Sequence, residues 1–497
     1  MLLVVGRTRL LADPDTFWHI VVGRQIISSG NFMRTDPFTF TFSGQPWCAH
    51  QWLGECGMAV IEGCAGFDGL VVATCIMLAA LYAWAGSRLI RNGLHWLVAV
   101  LVISLAMTAS SYSYLVRPHV CTMVLLGISF GILCDFEQGK IRLQSIWWLL
   151  PLFVLWSNIH GGVLGGIATL TLAVLGWTTM KWMGKPSPIR DLRDAANLFA
   201  LVAACCAGTL LNPYGLDTPR TWLKIMQSDL PNLIIEHAPL DPASPEGRMV
   251  LLFAAGYLIF LLGTLPTFPR VTWLLPVVWL YLTWTRIRHG PLFAIVATIA
   301  FADLLLYSRC TALLEKRKFF TRRPAQAEPS LFPFGTVVVV VIAMFGAAVC
   351  TKSIGALAGA NWSWSRPDPE IWPQELLSDL KQLELPSVST ARIFNEQKFG
   401  GFLIYNTPGL RVFIDGRCEL FGDKFMNAYV DAQQRPEAIE EWSDRYGFNV
   451  ALTRTNSSFD QIFTKSVDWH TVRKTAIATL YARTHAAQNK VRPLSPQ

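Results

Sequence analysis

The stretch GMAVIEGCAGFDGLVVATCIMLAALYAW, residues 57–84, decides the fold class. A helix needs roughly 20 mostly apolar residues to cross about 30 Å of hydrocarbon, so this stretch predicts a membrane helix that is tilted or broken. Nine further stretches are apolar enough or nearly so: approximately 94–111, 118–134, 146–160, 162–180, 196–211, 249–265, 271–285, 290–307 and 334–351. The sequence therefore predicts an α-helical polytopic membrane protein with about ten or eleven transmembrane helices.

The composition supports the same class. Of the 497 residues, 52% are hydrophobic and 15% are charged, whereas a soluble domain normally carries about 25% charged residues. The formal net charge is +8, but the chain has neither a basic arm nor a Lys/Arg patch interleaved with surface aromatics. We therefore expect no nucleic-acid partner and place the excess positive charge in loops between membrane spans.

The distribution of Lys and Arg predicts the orientation. Residues 308–326, SRCTALLEKRKFFTRRPAQ, form the most basic segment and should be cytoplasmic by the positive-inside rule. Counting back through the ten spans places the basic loops near 86–93, 135–145 and 181–195 on the same side. The opposite side of the membrane, the outward side, should then contain residues 12–56, the turns near 112–119 and 286–290, the loop 212–248 and everything after residue 351.

Four regions follow from these patterns. Residues 1–351 form the transmembrane part, in which 12–56 is a first outward loop with an interfacial helix. Residues 352–376 include a Pro/Trp-rich tether, and residues 377–497 form a small extracytoplasmic α/β domain. In that domain the predicted strands are ARIFN, RVFID and NVALTRT, and the predicted closing hairpin is HTVRKTAIATLYART. MLLVVGRTRLL at the start is typical of the exit end of a membrane helix, so we expect a longer homologue to carry one more N-terminal span.

Two acidic residues open the first outward loop, in the sequence LADPDTFWHI. An Asp before a Pro is a favourable helix start, with Asp13 as N-cap and Pro14 at the first helical position. Asp15 and His19 would then share a helix face. The spacing supports equally a local ion pair and a functional site, in which His19 orients a general base or helps Asp13 and Asp15 to bind a divalent metal.

Further polar residues gather on the predicted outward side. Basic residues at span ends usually extend to the membrane interface, but outward loops are normally poor in positive charge, so a phosphate ligand is an alternative. The candidate donor- or phosphate-binding residues are Arg117, His119, Arg286, Arg288 and His289. The remaining candidates are Asp36, which most simply organises a turn, and His50, Asn158, His160, Glu236 and His237. Asp415, Arg417, Glu419 and Asp423 are interpreted as a set of salt bridges at a strand end.

Several motifs resemble those of a family of bacterial multi-pass membrane proteins and, beyond it, the GT-C superfamily of glycosyltransferases. The resemblance rests on DPDTFWHI from Asp13, DPFTFT from Asp36, PWCAHQWL from Pro46, and then NIHGG, NPYG and FIDGRCELFGDKF. Gln51 departs from the pattern, since many such sequences have Glu after the loop histidine. The resemblance implies a membrane glycosyltransferase in the bacterial cytoplasmic membrane. It would transfer a sugar from a polyprenyl-phosphate donor to an unknown acceptor on the outer face of that membrane. The membrane lipid would surround the enzyme.

In that enzyme hypothesis Asp15, with Asp13 as the alternative, accepts the proton of the acceptor hydroxyl. Arg117, Arg286 or Arg288 stabilises the departing phosphate, and a metal held by Asp13, Asp15 and His19 would share that work. Two other functions remain open: a transporter of a lipid-linked glycan, and a non-catalytic assembly or sensor protein. The enzyme hypothesis requires that the first-loop acids and the outward basic residues meet in one place.

Overall fold

The computed structural model describes residues 9–228, 237–321, 365–383 and 392–484. The first part is helical, and its helices are α1 Asp15–Ser29, α2 Trp52–Arg91, α3 Trp96–Ser110, α4 His119–Glu137, α5 Leu143–Ile146, α6 Leu149–Ile159, α7 Val163–Trp182, α8 Leu192–Gly208, α9 Asp217–Gln227, α10 Pro245–Leu262, α11 Val271–Thr285, α12 Gly290–Leu304 and α13 Thr311–Lys316. After α14 Leu377–Gln382, strands and helices alternate as β1 Arg392–Asn395, α15 Gln397–Asn406, β2 Arg411–Val412, α16 Cys418–Asp431, α17 Pro436–Tyr446, β3 Val450–Arg454, α18 Ser458–Lys465, β4 Trp469–Lys474 and β5 Ala478–Arg483.

The multi-pass class predicted from the sequence is confirmed. Within the described residues, six helices are long and apolar enough to cross a membrane: Trp52–Arg91, Trp96–Ser113, His119–Glu137, Val163–Trp182, Pro245–Leu262 and Ile287–Leu304. Leu143–Ile159 and Val271–Thr285 are shorter apolar helices. Nine of the ten predicted stretches coincide with helices, and 334–351 lies outside the described residues. The total of ten or eleven spans stays a prediction.

The first predicted span is broken. Helix α2 has 40 residues, and an unbroken helix of that length would measure about 60 Å, twice the thickness of the hydrocarbon. The break is at Gly66, whose φ of 62° and ψ of −158° are not helical and are readily adopted only by glycine. As a result, the part of α2 before Gly66 packs along α1 instead of continuing in the direction of the second part.

The C-terminal part contains a five-stranded sheet in the order β2-β1-β3-β5-β4. β1 pairs in parallel with β2 and β3, while β5 pairs antiparallel with β3 and β4. The strands lie where the short apolar runs predicted them, and β4 with β5 is the predicted hairpin. The small α/β fold of this region is therefore confirmed.

The first loop joins the edge of this sheet through a single β-bridge. Thr39 forms a parallel bridge with Val412 of β2, where the N–H of Phe40 donates to the Val412 carbonyl at 3.2 Å and the N–H of Val412 to the Phe38 carbonyl at 3.1 Å. On the other side of α1, the backbone of Gly401 in α15 lies so close to Pro14 that a Cβ there would be 2.1 Å from the Pro14 carbonyl oxygen. Residues that are far apart in the chain thus form one packed unit.

That unit has its own hydrophobic core, separate from the core of the membrane helices. Phe17 of α1 packs edge-on against Trp372 and Phe402, with ring centroids 4.9 Å and 5.6 Å apart. We refer to α1, the loop 30–51 and residues 365–383 and 392–484 as the sheet unit. Its core is what holds the acidic start of α1 against the C-terminal sheet.

Candidate functional site

The helix that carries the acidic stretch begins one residue later than predicted. Helix α1 starts at Asp15, and Pro14 precedes it as the N-cap residue. The Asp13 carboxylate accepts the N–H of Asp15 at 2.7 Å, a local side-chain bond that lets the chain turn through Pro14 before the helix starts. The predicted start at Pro14 is therefore wrong by one residue, although Asp13 does bond to the first turn.

Arg117 lies between the two acids. Its Nη1 is 2.9 Å from Oδ2 of Asp13, and its Nη2 is 2.8 Å from Oδ2 of Asp15. The hydroxyl of Thr16 donates to the Val116 carbonyl at 2.8 Å, which fastens α1 to the segment that carries the arginine. Two carboxylates and one guanidinium leave a net charge of about −1. Arg117, which the sequence suggested as a phosphate ligand, thus binds the candidate bases in this structure.

The Asp15 carboxylate has a second fixed contact. The indole N–H of Trp18, one helical turn later, donates to its Oδ1 at 2.9 Å. Both oxygens are thereby oriented, one by the indole and one by the guanidinium. The carboxylate therefore has a defined orientation at the start of α1.

His19 does not pair with Asp15. Its ring is fully buried, and Nδ1 lies 2.9 Å from Oε1 of Glu55 in α2. The cause is the packing of α1 on α2, which is closest at Gly23, where a Cβ would be 2.0 Å from the Glu55 carbonyl oxygen. Burial lowers the pKa of His19 well below its usual value, and the positive charge of Arg117 acts in the same direction.

This arrangement does not assemble the predicted metal triad of Asp13, Asp15 and His19. In the part of the chain that the structure describes, no three His, Cys, Asp or Glu side chains are placed to hold a metal ion. Instead, Nε2 of His19 and Oε2 of Glu55 are buried and have no hydrogen-bond partner among those residues. Buried unpaired polar atoms are rare in folded proteins, so this pair marks the region as a candidate site. Glu55 was not among the principal candidates from the sequence.

The turn between α6 and α7 brings outward histidines toward the same place. His160 Nδ1 accepts the N–H of Gly162 at 2.9 Å and contacts the Thr122 hydroxyl at 2.9 Å. Burial lowers the pKa of His160 well below its usual value, and the positive charges of Arg288 and Arg117 act in the same direction. The outward ends of several helices therefore converge on this turn.

The residues after α11 form the second basic group. Nη1 of Arg288 is 2.5 Å from Nε2 of His237, and His289 contacts the Leu282 carbonyl through Nδ1 at 3.1 Å. The Arg286 guanidinium makes no hydrogen bond or ion pair within the described residues, where only its backbone N–H and carbonyl are bonded. Glu236 lies outside the described residues. Among the described residues, the guanidinium of Arg286 thus has no counter-charge.

Three other candidates have structural contacts. Asn158 accepts the Trp52 indole N–H at 2.7 Å and donates to the Leu211 carbonyl at 3.0 Å, so it joins α2, α6 and the end of α8. His50 is buried, which lowers its pKa. Asp36 accepts the N–H groups of Phe38 and Thr39 at 3.0 Å and 3.1 Å, and its predicted role in a turn is confirmed.

Asp36 also binds a residue of the C-terminal sheet. Arg417, in the motif after β2, is fully buried, with Nη2 2.7 Å from Asp36 and 2.6 Å from Asp415. Its guanidinium carbon lies 4.6 Å from the ring centroid of Trp47 and 5.0 Å from that of Phe38. Burial opposes the charge, but the two carboxylates outweigh it and raise the pKa of Arg417. The predicted salt bridge with Asp415 is present, and its extension to the first loop could not be read from the spacing.

The fold has counterparts among solved structures. No family model matches the chain, and no curated protein matches it in sequence. The oligosaccharyltransferase of Archaeoglobus fulgidus in the apo form superposes with a TM-score of 0.52 at 11% identity, over 89% of this chain and 66% of that one. The chain thus spans slightly less than two thirds of that enzyme's length. ArnT from Cupriavidus metallidurans bound to undecaprenyl phosphate gives a TM-score of 0.47 at 12% identity, over 100% of this chain and 97% of that one.

The first of these superpositions confirms the GT-C-like fold that the motifs implied. Fold alone does not establish chemistry, because one fold supports many activities. The site itself has to support the function, and here the acids of the first loop lie directly against Arg117.

Proposed function

We propose that the protein is a membrane glycosyltransferase that moves a sugar from a polyprenyl-phosphate donor to an acceptor on the outer face of the bacterial cytoplasmic membrane. The observation that carries the proposal is the ion-pair set of Asp13, Asp15 and Arg117 at the membrane edge of the sheet unit. Residues separated by about a hundred positions meet there, so one of the outward basic residues lies against the acids of the first loop. The sheet unit is then extracytoplasmic, and membrane lipid surrounds the apolar helices.

Asp15 is the proposed general base. An acceptor hydroxyl that hydrogen-bonds to its carboxylate would transfer the proton as its oxygen attacks the anomeric carbon of the sugar. Trp18 and Arg117 orient the two carboxylate oxygens, which keeps the base in one position before the substrate arrives. Asp13 is the alternative base, and one of its oxygens accepts the backbone N–H of Asp15.

The donor phosphate is assigned to the basic group after α11. A guanidinium matches two phosphate oxygens, and such charge-assisted bonds strengthen as negative charge grows on the departing phosphate. The Arg286 guanidinium has no partner within the described residues, and Arg288 adds a second positive charge beside His237. Arg117 is reassigned from the phosphate to the acids, because both of its terminal nitrogens contact carboxylates.

The test uses purified protein in lipid nanodiscs and a panel of labelled undecaprenyl-phosphate monosaccharides. We expect transfer, or release of sugar to water, with at least one donor. The Asp15→Asn variant keeps the shape of the side chain but removes the proton acceptor, so the rate should fall by about 10²–10⁴-fold while donor affinity is kept. Asp13→Asn should be milder, since Asn supports a helix start about as well as Asp.

Asp217→Asn is the matched control. Asp217 is half-exposed and pairs with the exposed Arg220 at 3.3 Å, so the same chemical change there should leave the rate unaltered. Absence of transfer from every donor, or equal rates for wild type and Asp15→Asn, would refute the proposal. A severe loss confined to Asp13→Asn would move the base to that residue.

The transporter alternative expects ionisable residues within the membrane spans. Glu62 of α2 lies before the break at Gly66 and accepts the Tyr405 hydroxyl of the sheet unit at 2.9 Å. It also pairs with Arg24 of α1. This carboxylate therefore joins α1, α2 and the sheet, which gives no support to a path across the membrane.

A further inference from the structure

The loop that follows β2 crosses directly over the Asp15 carboxylate. Its sequence is FIDGRC, residues 413–418, and its point of contact is the backbone of Gly416. A Cβ at this position would be 1.8 Å from Oδ1 and 2.9 Å from Cγ of Asp15. The φ of Gly416 is not in the left-handed region, so alanine could adopt the same backbone conformation. The glycine is required here by the space available and not by the conformation.

Gly416 completes the surroundings of the carboxylate. Trp18 donates to Oδ1 at 2.9 Å, and Arg117 donates to Oδ2 at 2.8 Å. With the glycine backbone against Oδ1, the carboxylate has little room to turn away from these donors. Two of these three neighbours come from the first 120 residues, and the third comes from the C-terminal sheet.

The loop itself is fixed on both sides of the glycine. After it, Arg417 is buried in its ion pairs with Asp415 and Asp36, at 2.6 Å and 2.7 Å. Before it, Asn395 of β1 donates to the Ile414 carbonyl at 2.8 Å and accepts the N–H of Phe413 at 2.8 Å. A loop held in this way can set the position of a neighbouring side chain.

We propose that Gly416 is a positioning residue for the catalytic base, and that Arg417 holds Gly416 in place. The active site is then composite, with its base on the first loop and the support of that base on the C-terminal sheet. The role in catalysis rests on the proposed function. The positioning of Asp15 does not, and the two are measured separately.

The experiment compares Gly416→Ala with Gly57→Ala in the full chain. Both glycines have backbone conformations outside the left-handed region, so each substitution adds one methyl group without backbone strain. At Gly57, which is exposed in α2, the methyl meets no described atom within 4 Å. The first readout needs no donor: carbodiimide coupling of Asp15 to an amine, measured by mass spectrometry. We expect Asp15 to be protected in wild type and in Gly57→Ala, and labelled in Gly416→Ala.

The second readout is kinetic. A displacement of the base by about 1 Å should lower kcat of Gly416→Ala by about 10²-fold, with the KM for the lipid-linked donor unchanged, because the donor phosphate is bound elsewhere. Trp18→Phe removes a bond to the same Oδ1 without adding volume. It therefore serves as the second variant if Gly416→Ala does not fold, and it should lower kcat in the same selective way.

Protection of Asp15 in folded Gly416→Ala, or equal labelling in both glycine variants, would overturn the positioning role. An unchanged kcat in Trp18→Phe would overturn it as well. If wild type transfers no sugar while the labelling difference is present, the proposed function fails and the positioning of Asp15 stands.

Discussion

Replacing Arg417 tests what holds the C-terminal sheet to the first loop. Arg417→Met keeps the length of the side chain and much of its packing between Trp47 and Phe38, but it removes the charge. Asp36 and Asp415, both fully buried, then lack their shared counter-charge. Removing one partner of a buried ion pair typically costs about 3–5 kcal/mol, because the remaining charge is left uncompensated. We expect a loss of this size in the free energy of unfolding.

The assay is denaturant unfolding of the detergent-solubilised protein, followed by tryptophan fluorescence. Arg220→Met is the control, because Arg220 and its partner Asp217 are mostly exposed, with 71% and 56% of the side chains accessible. An exposed pair of this kind contributes about 0–1 kcal/mol. Adding Asp36→Asn and Asp415→Asn to Arg417→Met should restore much of the loss, since no buried charge then remains.

Two results would refute this reasoning. If Arg417→Met costs no more than Arg220→Met, the buried ion pairs do not hold the loop. If the triple variant is no more stable than Arg417→Met alone, the loss comes from packing and not from the two carboxylates. In either case the anchoring part of the proposal for Gly416 would have to be abandoned.

Three further predictions concern orientation, stability against pH and donor binding. Single cysteines at Lys185 and Lys465 should react with impermeant thiol reagents from opposite sides of sealed vesicles, and reaction from one side would contradict the predicted topology. The folded-state pKa of His19 is lowered by burial, so the unfolded chain binds its proton more tightly. The contribution of His19 to stability should therefore be fully present above about pH 6.5 and be lost as the pH falls below it, while Glu55, whose pKa burial raises, acts in the opposite direction. His19→Gln should remove the first of these two effects in denaturant titrations at several pH values. Arg286→Gln should weaken binding of undecaprenyl phosphate in nanodiscs by about 10-fold, from the loss of a charged hydrogen bond, and unchanged binding would return Arg286 to an interfacial role.

The class of the protein could be predicted from local sequence alone. Hydrocarbon thickness sets the length of an apolar run, so the stretches from 57–84 to 290–307 identified their helices. The apolar runs after residue 391 identified the strands in the same way. The resemblance of the motifs implied the GT-C-like fold, and the acidic residues of the first loop were recognised as unusual in so apolar a chain.

The partners of those acids were decided by the tertiary structure. Local spacing placed His19 beside Asp15, whereas the close approach of α1 and α2 at Gly23 turned His19 to Glu55. Arg117 is about a hundred residues from Asp15 and Gly416 about four hundred, and no periodicity in the sequence relates them. Such contacts exist only because burial of two separate hydrophobic cores brings distant segments together. Sequence pattern therefore identified which residues were unusual, and packing determined what each of them contacts.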